Sequence, residues 1–283
     1  MRKIGGLLTI ALVVSLGACS ASGGDEQGRA EFAVMLRVEQ VPGVLLASYA
    51  DYLQIDPFAP EDEIVETALA VREIVLELGD DETRKNELTI FAVYPGDWIV
   101  DTEFTTRVLD DAGKFGRDIR TWASLLDEGF ESVRYNVFDE TGDGVLNINQ
   151  RDPTEPTPAM SEVFDTMVGA LGGPPGSYTG LQTEAWVGNM LATNRSATPA
   201  LPAGWGAVLD AVQKMDFVDS SNASFELGTS DLALRGIGEL APDHLAEVMT
   251  LLTDNGVLLP NVTVSYKPSG RDAPAVLLYG VAK

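Results

Sequence analysis

Segments typical of helices and of strands alternate along this chain, and that alternation constrains its fold more than any other feature of the sequence. Ile64, Ala68, Val71 and Val75 follow one another at the spacing of one helix face. In residues 98–109, apolar and polar side chains alternate as in a strand with one buried face. A unit of strand, helix, short link and strand recurs over residues 98–138, 180–225 and 231–266. We therefore predict an α+β fold: two lobes of mostly antiparallel sheet, with helices packed on one face and strand–helix–strand repeats.

A proline-rich segment marks the expected boundary between the lobes. Residues 151–158 contain three prolines in eight positions and no apolar periodicity, a composition typical of linkers. The first lobe is predicted over residues 29–150 and the second over residues 159–283. The first lobe should open with a β-hairpin of residues 31–38 and 44–46, because apolar residues alternate in the first segment and Pro42 and Gly43 favour a turn.

The N-terminus has the form of a signal peptide. Arg2 and Lys3 precede an apolar run over residues 4–16, which is too short to span a membrane permanently. The run ends in a branched apolar residue, two small residues and a cysteine, Leu16-Gly17-Ala18-Cys19. This motif resembles the one at which bacterial lipoprotein precursors are acylated and cleaved.

The resemblance implies that residues 1–18 are removed and that Cys19, carrying diacylglyceryl and palmitate-type chains, becomes the first residue. Each buried methylene contributes roughly 0.8 kcal/mol, so two or three acyl chains would hold the protein at a membrane. The implied location is the cell envelope, anchored to a bacterial membrane and facing the periplasm or the exterior. A plain secretory peptide beside a free Cys19 is the alternative. Residues 19–28, which are small and polar, are predicted to form a flexible tether.

The charge balance excludes one class of partner. The chain has 43 acidic and 19 basic side chains and a formal net charge of −24, so it would be repelled by nucleic acid unless basic residues were segregated on one face. A single Cys and a single His exclude a disulfide scaffold and a Cys/His zinc site.

The last predicted unit, with residues 232–236 before its helix, resembles the small α/β BON modules of bacterial envelope proteins.

One acidic string resembles a calcium loop of the EF-hand or dockerin kind. Its oxygen donors stand at relative positions 1, 3, 5 and 9, namely Asp139, Thr141, Asp143 and Asn147. Position 12 is Gln150, so the bidentate acid expected there is missing. The competing interpretation, which the flanking strand pattern favours, is a β-hairpin with its tip at residues 141–144. No other cofactor is indicated.

The tryptophans and the histidine are the remaining candidates. Trp98 and Trp122 fall on apolar stripes and are predicted to be core residues, whereas Trp186 and Trp205, near Gly-rich and Pro-rich loops, are candidates for a ligand-binding surface. His244 lies at the start of a predicted helix, and the sequence contains no nucleophile motif that a catalytic histidine would activate. We therefore predict that His244 is a solvated residue.

These observations favour a non-enzymatic, lipid-anchored envelope protein that binds a protein partner or a small ligand at the membrane surface. A solute-binding lipoprotein of a transport system, with a hinge near Pro153, is the first alternative. A carboxylate- or metal-dependent hydrolase using Asp139 and Asp143 is the second.

Overall fold

The computed structural model describes residues 25–49, 52–77, 87–92, 102–138, 143–150, 157–172, 180–196, 198–269 and 274–280. Within them the chain forms six helices and twelve strands. The helices are α1 (Asp25–Val38), α2 (Glu61–Leu76), α3 (Ala112–Leu126), α4 (Met160–Leu171), α5 (Trp205–Val212) and α6 (Pro242–Asp254). The strands are β1 (Val44–Tyr49), β2 (Tyr52–Ile55), β3 (Leu88–Ala92), β4 (Glu103–Thr106), β5 (Ser132–Val137), β6 (Gly144–Gln150), β7 (Leu181–Val187), β8 (Met190–Asn194), β9 (Ser220–Glu226), β10 (Thr229–Gly236), β11 (Val262–Pro268) and β12 (Val276–Tyr279).

All twelve strands belong to one sheet, in which the spatial order of the strands is their order in the chain. Strands β1 and β2 pair in antiparallel fashion, as do β3 and β4 and every later pair of this kind. The second strand of each such pair lies parallel to the first strand of the next pair, as β2 does to β3. A helix precedes every antiparallel pair, so the described residues form six consecutive αββ units. Because each antiparallel pair reverses the strand direction, successive connecting helices run in opposite directions.

The predicted mixture of helices and strands in strand–helix–strand units is therefore confirmed, but the arrangement in two mostly antiparallel lobes is wrong. Antiparallel and parallel pairs alternate through a single sheet. Strands β6 and β7 lie on either side of the predicted linker, and they pair over seven residues from Gly144 and Leu181 to Gln150 and Val187. The predicted linker thus falls between two paired strands of one sheet. Residues 151–156 of that linker lie outside the described residues.

The helices form one layer on one face of the sheet. Each helix packs on the next in chain order, and α1, α3 and α4 also pack on strands. Buried and half-exposed residues alternate in most strands, as in β7 and β11, so one face of the sheet meets the helices and the other does not. The central core is aromatic: Phe104 lies about 6 Å, between ring centroids, from Phe115, Trp122 and Tyr135. Trp122 is a core residue as predicted, whereas Trp98 lies outside the described residues.

The opening segment differs from the sequence prediction. Residues 31–38 belong to helix α1 and not to a strand, and residues 25–28 of the predicted tether are helical too. Apolar residues at every second position fit a strand, but on a helix they form two stripes on different sides. Val34 and Val38 are buried, whereas Phe32 and Leu36 are exposed.

Candidate functional site

One face of the sheet carries none of the described helices, and we call it the open face. Residues that are paired across neighbouring strands form a continuous row over it. In strand order the row is Gln54, Phe91, Glu103, Arg134, Asn147, Glu184, Thr193, Ser224, Asp231 and Thr263. Neighbouring strands lie about 4.8 Å apart, so this row presents polar groups at regular intervals except at the buried Phe91.

Hydrogen bonds fix the middle of the row. Asn147 Nδ2 donates to Glu184 Oε1 at 2.7 Å, and Gln182 Nε2 and Thr193 Oγ1 donate to Glu184 Oε2 at 3.3 and 3.4 Å. The Gln182 side chain in turn accepts a hydrogen bond of 2.7 Å from Arg195 Nε. The Glu184 carboxylate is therefore held in place by three side chains from strands β6, β7 and β8.

A depression of about 320 Å³ lies on the open face over strands β3, β4 and β5. On its rim, Arg107 Nε donates to Glu87 Oε2 at 2.9 Å, and on its floor Thr105 Oγ1 donates to Thr89 Oγ1 at 3.2 Å. The lining also includes a second carboxylate, an amide and an exposed ring, from Glu103, Asn136 and Phe138. These groups could bind a small polar molecule through hydrogen bonds and one ion pair.

Trp186, one of the two tryptophans proposed from the sequence, lies on the open face and is half-buried there. Its partner across the parallel joint is Asn149 of β6. The Asn149 Oδ1 atom is buried and accepts no hydrogen bond from the described residues. An unsatisfied buried acceptor is uncommon in folded proteins. Trp186 therefore stands beside a buried polar atom that has no hydrogen-bond donor among the described residues.

Trp205, the second proposed tryptophan, lies in a different place. Its ring is buried between helix α5 and the sheet and packs against Phe225, with ring centroids 5.0 Å apart at 67°. An aromatic side chain in the core cannot contact a ligand at the surface. The structure thus corrects the sequence prediction that Trp205 lies on a ligand-binding surface. Its apolar spacing with Leu209 and Val212 was the signal of a core position.

Of the four calcium-loop candidates, Asp143 and Asn147 lie among the described residues. Asp139 and Thr141 lie outside the described residues. Asp143 precedes β6, and its carbonyl oxygen accepts a hydrogen bond of 2.8 Å from Phe138 N, which closes the β5–β6 hairpin. Asn147 lies within β6 and is bonded to Glu184. Four strand residues span about 13 Å, so Asp143 and Asn147 are too far apart to bind one ion in the manner of a calcium loop. The described residues contain no cluster of three or more His, Cys, Asp or Glu suited to a metal ion.

His244 has a structural contact. Its ring stacks on Phe217, which precedes β9, with ring centroids 4.1 Å apart and an interplanar angle of 6°. The stack connects the start of α6 to the link after α5. Sequence reasoning predicted a solvated histidine and did not find this contact, because Phe217 is distant in the chain.

A carboxylate is buried under helix α3. Lys114 Nζ donates to Asp118 Oδ2 at 2.8 Å, and Tyr135 Oη donates to Asp118 Oδ1 at 3.5 Å. Burial raises the pKa of Asp118 above its ordinary value, and the hydrogen bond from Lys114 only partly opposes this. The group belongs to the helix–sheet core and not to the open face.

No protein-family model, curated protein or solved structure matches this chain. Cys19 and the signal-peptide residues lie outside the described residues. Among the described helices, none combines the length and the apolar composition that crossing a bilayer requires.

Proposed function

We propose that this chain is a non-enzymatic, lipid-anchored protein of the bacterial envelope that binds a polar ligand, either a small molecule or a segment of a partner protein, on its open face. The anchor is Cys19, and the binding groups are the central row, the depression over β3–β5 and Trp186. The observation that carries the binding proposal is the Glu184 carboxylate, which three neighbouring side chains hold in place beside Trp186.

The position of these groups supports binding rather than covalent chemistry. The open face combines carboxylates, amides, hydroxyls and one half-buried indole, and polar groups of these kinds orient a ligand through hydrogen bonds. Nucleic acid remains an unfavourable partner, because the whole chain carries 43 acidic and only 19 basic side chains. A transport protein that closes two lobes over its solute receives no support from a sheet that continues through the expected hinge.

The anchor is tested by metabolic labelling with an alkyne analogue of palmitate. The full chain should take up the label and sediment with membranes, and Cys19→Ala should lose both properties. An unlabelled wild-type chain would contradict the proposed anchor. This result would leave the binding proposal standing, because binding rests on other residues.

The binding surface is tested by crosslinking in cells and recovery of the chain from its own membranes, read by mass spectrometry. Trp186→Ala and Glu184→Gln should lose the molecule that the wild type retains. Glu66→Gln, which alters an exposed carboxylate on the helical layer, is the matched control and should retain it. Equal recovery by all four chains would place the binding site elsewhere and contradict the proposal. Circular dichroism checks that each variant is folded.

A further inference from the structure

The first and the last αββ unit expose apolar side chains on their outer sides, where a repeat protein usually has polar caps. At the first end, Phe32 and Leu36 of α1 and Leu45 and Leu46 of β1 are exposed. We call these four residues the β1 end. At the other end, Leu245 of α6 and Val276 and Leu277 of β12 are exposed, and Met249 of α6 is only partly buried. We call these four residues the β12 end.

On α1, the exposed Phe32 lies on the side that would face a preceding helix. Arg37 pairs with Glu77, which caps the end of α2, so this side of α1 faces the second unit. Phe32 is five residues from Arg37 and thus about 140° away around the helix axis. Phe32 therefore faces away from α2, whereas Leu36, about 160° around the axis from the buried Val34 and Val38, points away from the core.

The apolar side chains of α6 lie on the flank that would face a following helix. His244 stacks on Phe217, and the Asn255 carbonyl lies against Gly204 at the start of α5, so this side of α6 faces the fifth unit. Val248 and Leu252 face the core. Around the helix axis, Leu245 and Met249 lie about 60° and 100° from Val248, on the side opposite to His244. These two side chains therefore face away from α5.

Strand β12 also leaves an apolar side chain uncovered. Val276 pairs with Tyr266, whose side chain points toward the helices, yet Val276 is 55% exposed. In the interior of the sheet, positions of this kind are covered by a helix of the following unit. Neither β12 nor β1 contains a charged residue, in a chain with 43 acidic side chains. Monomeric proteins commonly protect such edges with charges.

From these features we infer that copies of this chain associate head to tail, with the β1 end of one copy packed on the β12 end of another. The direction of the elements permits this joint. Each unit reverses the strand direction, and an even number of units restores it, so β12 and β1 run the same way. A second copy shifted along the sheet would then place its β1 parallel to β12 and its α1 antiparallel to α6. Both relations are those found at the joints inside the chain, such as β10 to β11.

The length of β12 also fits such a joint. Strand β12 has four residues, and the internal parallel joint between β2 and β3 consists of four residue pairs. A contact between two different surfaces of one protein is heterologous, so it leaves a free end on every assembly unless a ring closes. The association is therefore expected to proceed beyond the dimer.

The test is thiol crosslinking of the full chain in its own membranes. Leu46→Cys alters the β1 end, Leu277→Cys alters the β12 end, and the double variant carries both. All three keep Cys19, whose sulfur is a thioether under the proposed acylation and does not react with a maleimide; the unsubstituted chain, treated in the same way, checks this. With a short bis-maleimide, the double variant should give a ladder of dimers, trimers and larger species, whereas each single variant should stay monomeric. Dimers in either single variant would show that like ends meet, and an uncrosslinked double variant would show that the ends contact something else, such as the bilayer. Either result overturns the inference.

A substitution at the joint tests the same point without relying on thiol reach. Val276→Lys, added to the double cysteine variant, should lower the crosslinked fraction about tenfold, because burial of one aliphatic side chain contributes a factor of that order. The matched control is Leu227→Lys, which changes an exposed leucine in the β9–β10 turn, away from both ends, and should leave the ladder unchanged. Equal ladders in the two lysine variants would contradict the joint.

Discussion

The Asp118 carboxylate lies under α3 in surroundings that oppose its charge. Its folded-state pKa is raised by burial, although Lys114 and Tyr135 donate hydrogen bonds to it. The charged form is therefore less favourable in the fold than in the unfolded chain. The contribution of this group to stability is present below its ordinary pKa of 3.8 and is lost as the pH rises through the raised value.

Asp118→Asn should consequently raise the free energy of unfolding at neutral pH. The amide fills the same space and can still accept a hydrogen bond from Lys114, but it carries no charge to desolvate. The advantage over the wild type should shrink as the pH falls toward the ordinary pKa of the carboxyl group. Urea denaturation at about pH 7 and about pH 4 measures the difference. A variant less stable than the wild type at neutral pH would mean that the Lys114 pair outweighs the cost of burial.

Asp111 is the opposite case, since its surroundings favour the charge. It is the N-cap of α3 and accepts a hydrogen bond of 2.9 Å from the backbone N of Lys114. This bond, from the backbone of Lys114, lowers the pKa of Asp111. The stabilisation is present above the ordinary pKa of 3.8 and is lost as the pH falls through the lowered value.

Asp111→Ala should therefore lower the melting temperature at neutral pH, because the first turn of α3 loses its side-chain acceptor. Asp111→Asn is the control: it keeps an acceptor and should retain most of the stability. The difference between Ala and wild type should decrease in acid, whereas the difference between Ala and Asn should not. Thermal melts across this pH range distinguish the two effects. A pH-independent loss in the Ala variant would show that the charge is irrelevant.

At the level of elements, close approaches between units decide where glycine is required. Gly204, the N-cap of α5, has a φ of 83°, and a Cβ there would lie 2.3 Å from the Asn255 carbonyl oxygen after α6. The fifth and sixth units thus meet backbone to backbone at this position. Gly169 in α4 is different, since a Cβ there would meet no atom within 4 Å.

Gly204→Ala should destabilise the protein by roughly 2–4 kcal/mol, the sum of a left-handed backbone and an overpacked contact. Gly169→Ala is the matched control and should stabilise it by about 0.5–1 kcal/mol, because alanine loses less freedom than glycine in a helix. Denaturant titration of the two variants gives both values. A small effect at Gly204 would mean that the loop at Asn255 moves freely.

Most elements could be predicted from the sequence, because helix and strand periodicity are local. Helix α2 and the β5–β6 hairpin are examples. Helix α1 was misassigned because Phe32, Val34, Leu36 and Val38 fit a strand as well as a two-sided helix. The parallel joint between β6 and β7 could not be predicted, because residues 151–156 and the rest of the crossover separate the two strands in the chain. The open-face row was missed for the same reason: each of its residues follows a local pattern, and only the joints bring them together.

At the level of the whole molecule, each unit packs mainly on the units before and after it. Stability in such a chain is approximately the sum of unit and joint contributions. A unit in the middle has two joints, whereas a terminal unit of a single copy has one. The protection of backbone amides should therefore depend on position along the sheet.

In dilute solution, hydrogen exchange of the isolated chain should be slowest in β5 to β9 and fastest in β1 and β12. Mass spectrometry of peptic fragments measures this gradient. Raising the protein concentration should slow exchange at β1 and β12 selectively if copies join at these strands. Uniform protection at every concentration would mean that the sheet opens as a single cooperative body.

The identity between strand order and chain order has a mechanical consequence. The first and last strands lie at opposite edges of the sheet, roughly 50 Å apart if eleven intervals of about 4.8 Å are added. A force between the two ends would act across the strands rather than along them, so the inter-strand hydrogen bonds would open one pair after another, like a zipper, instead of shearing together. A chain held at one end and pulled at the other should therefore lengthen in small steps at low force, one unit at a time from an edge.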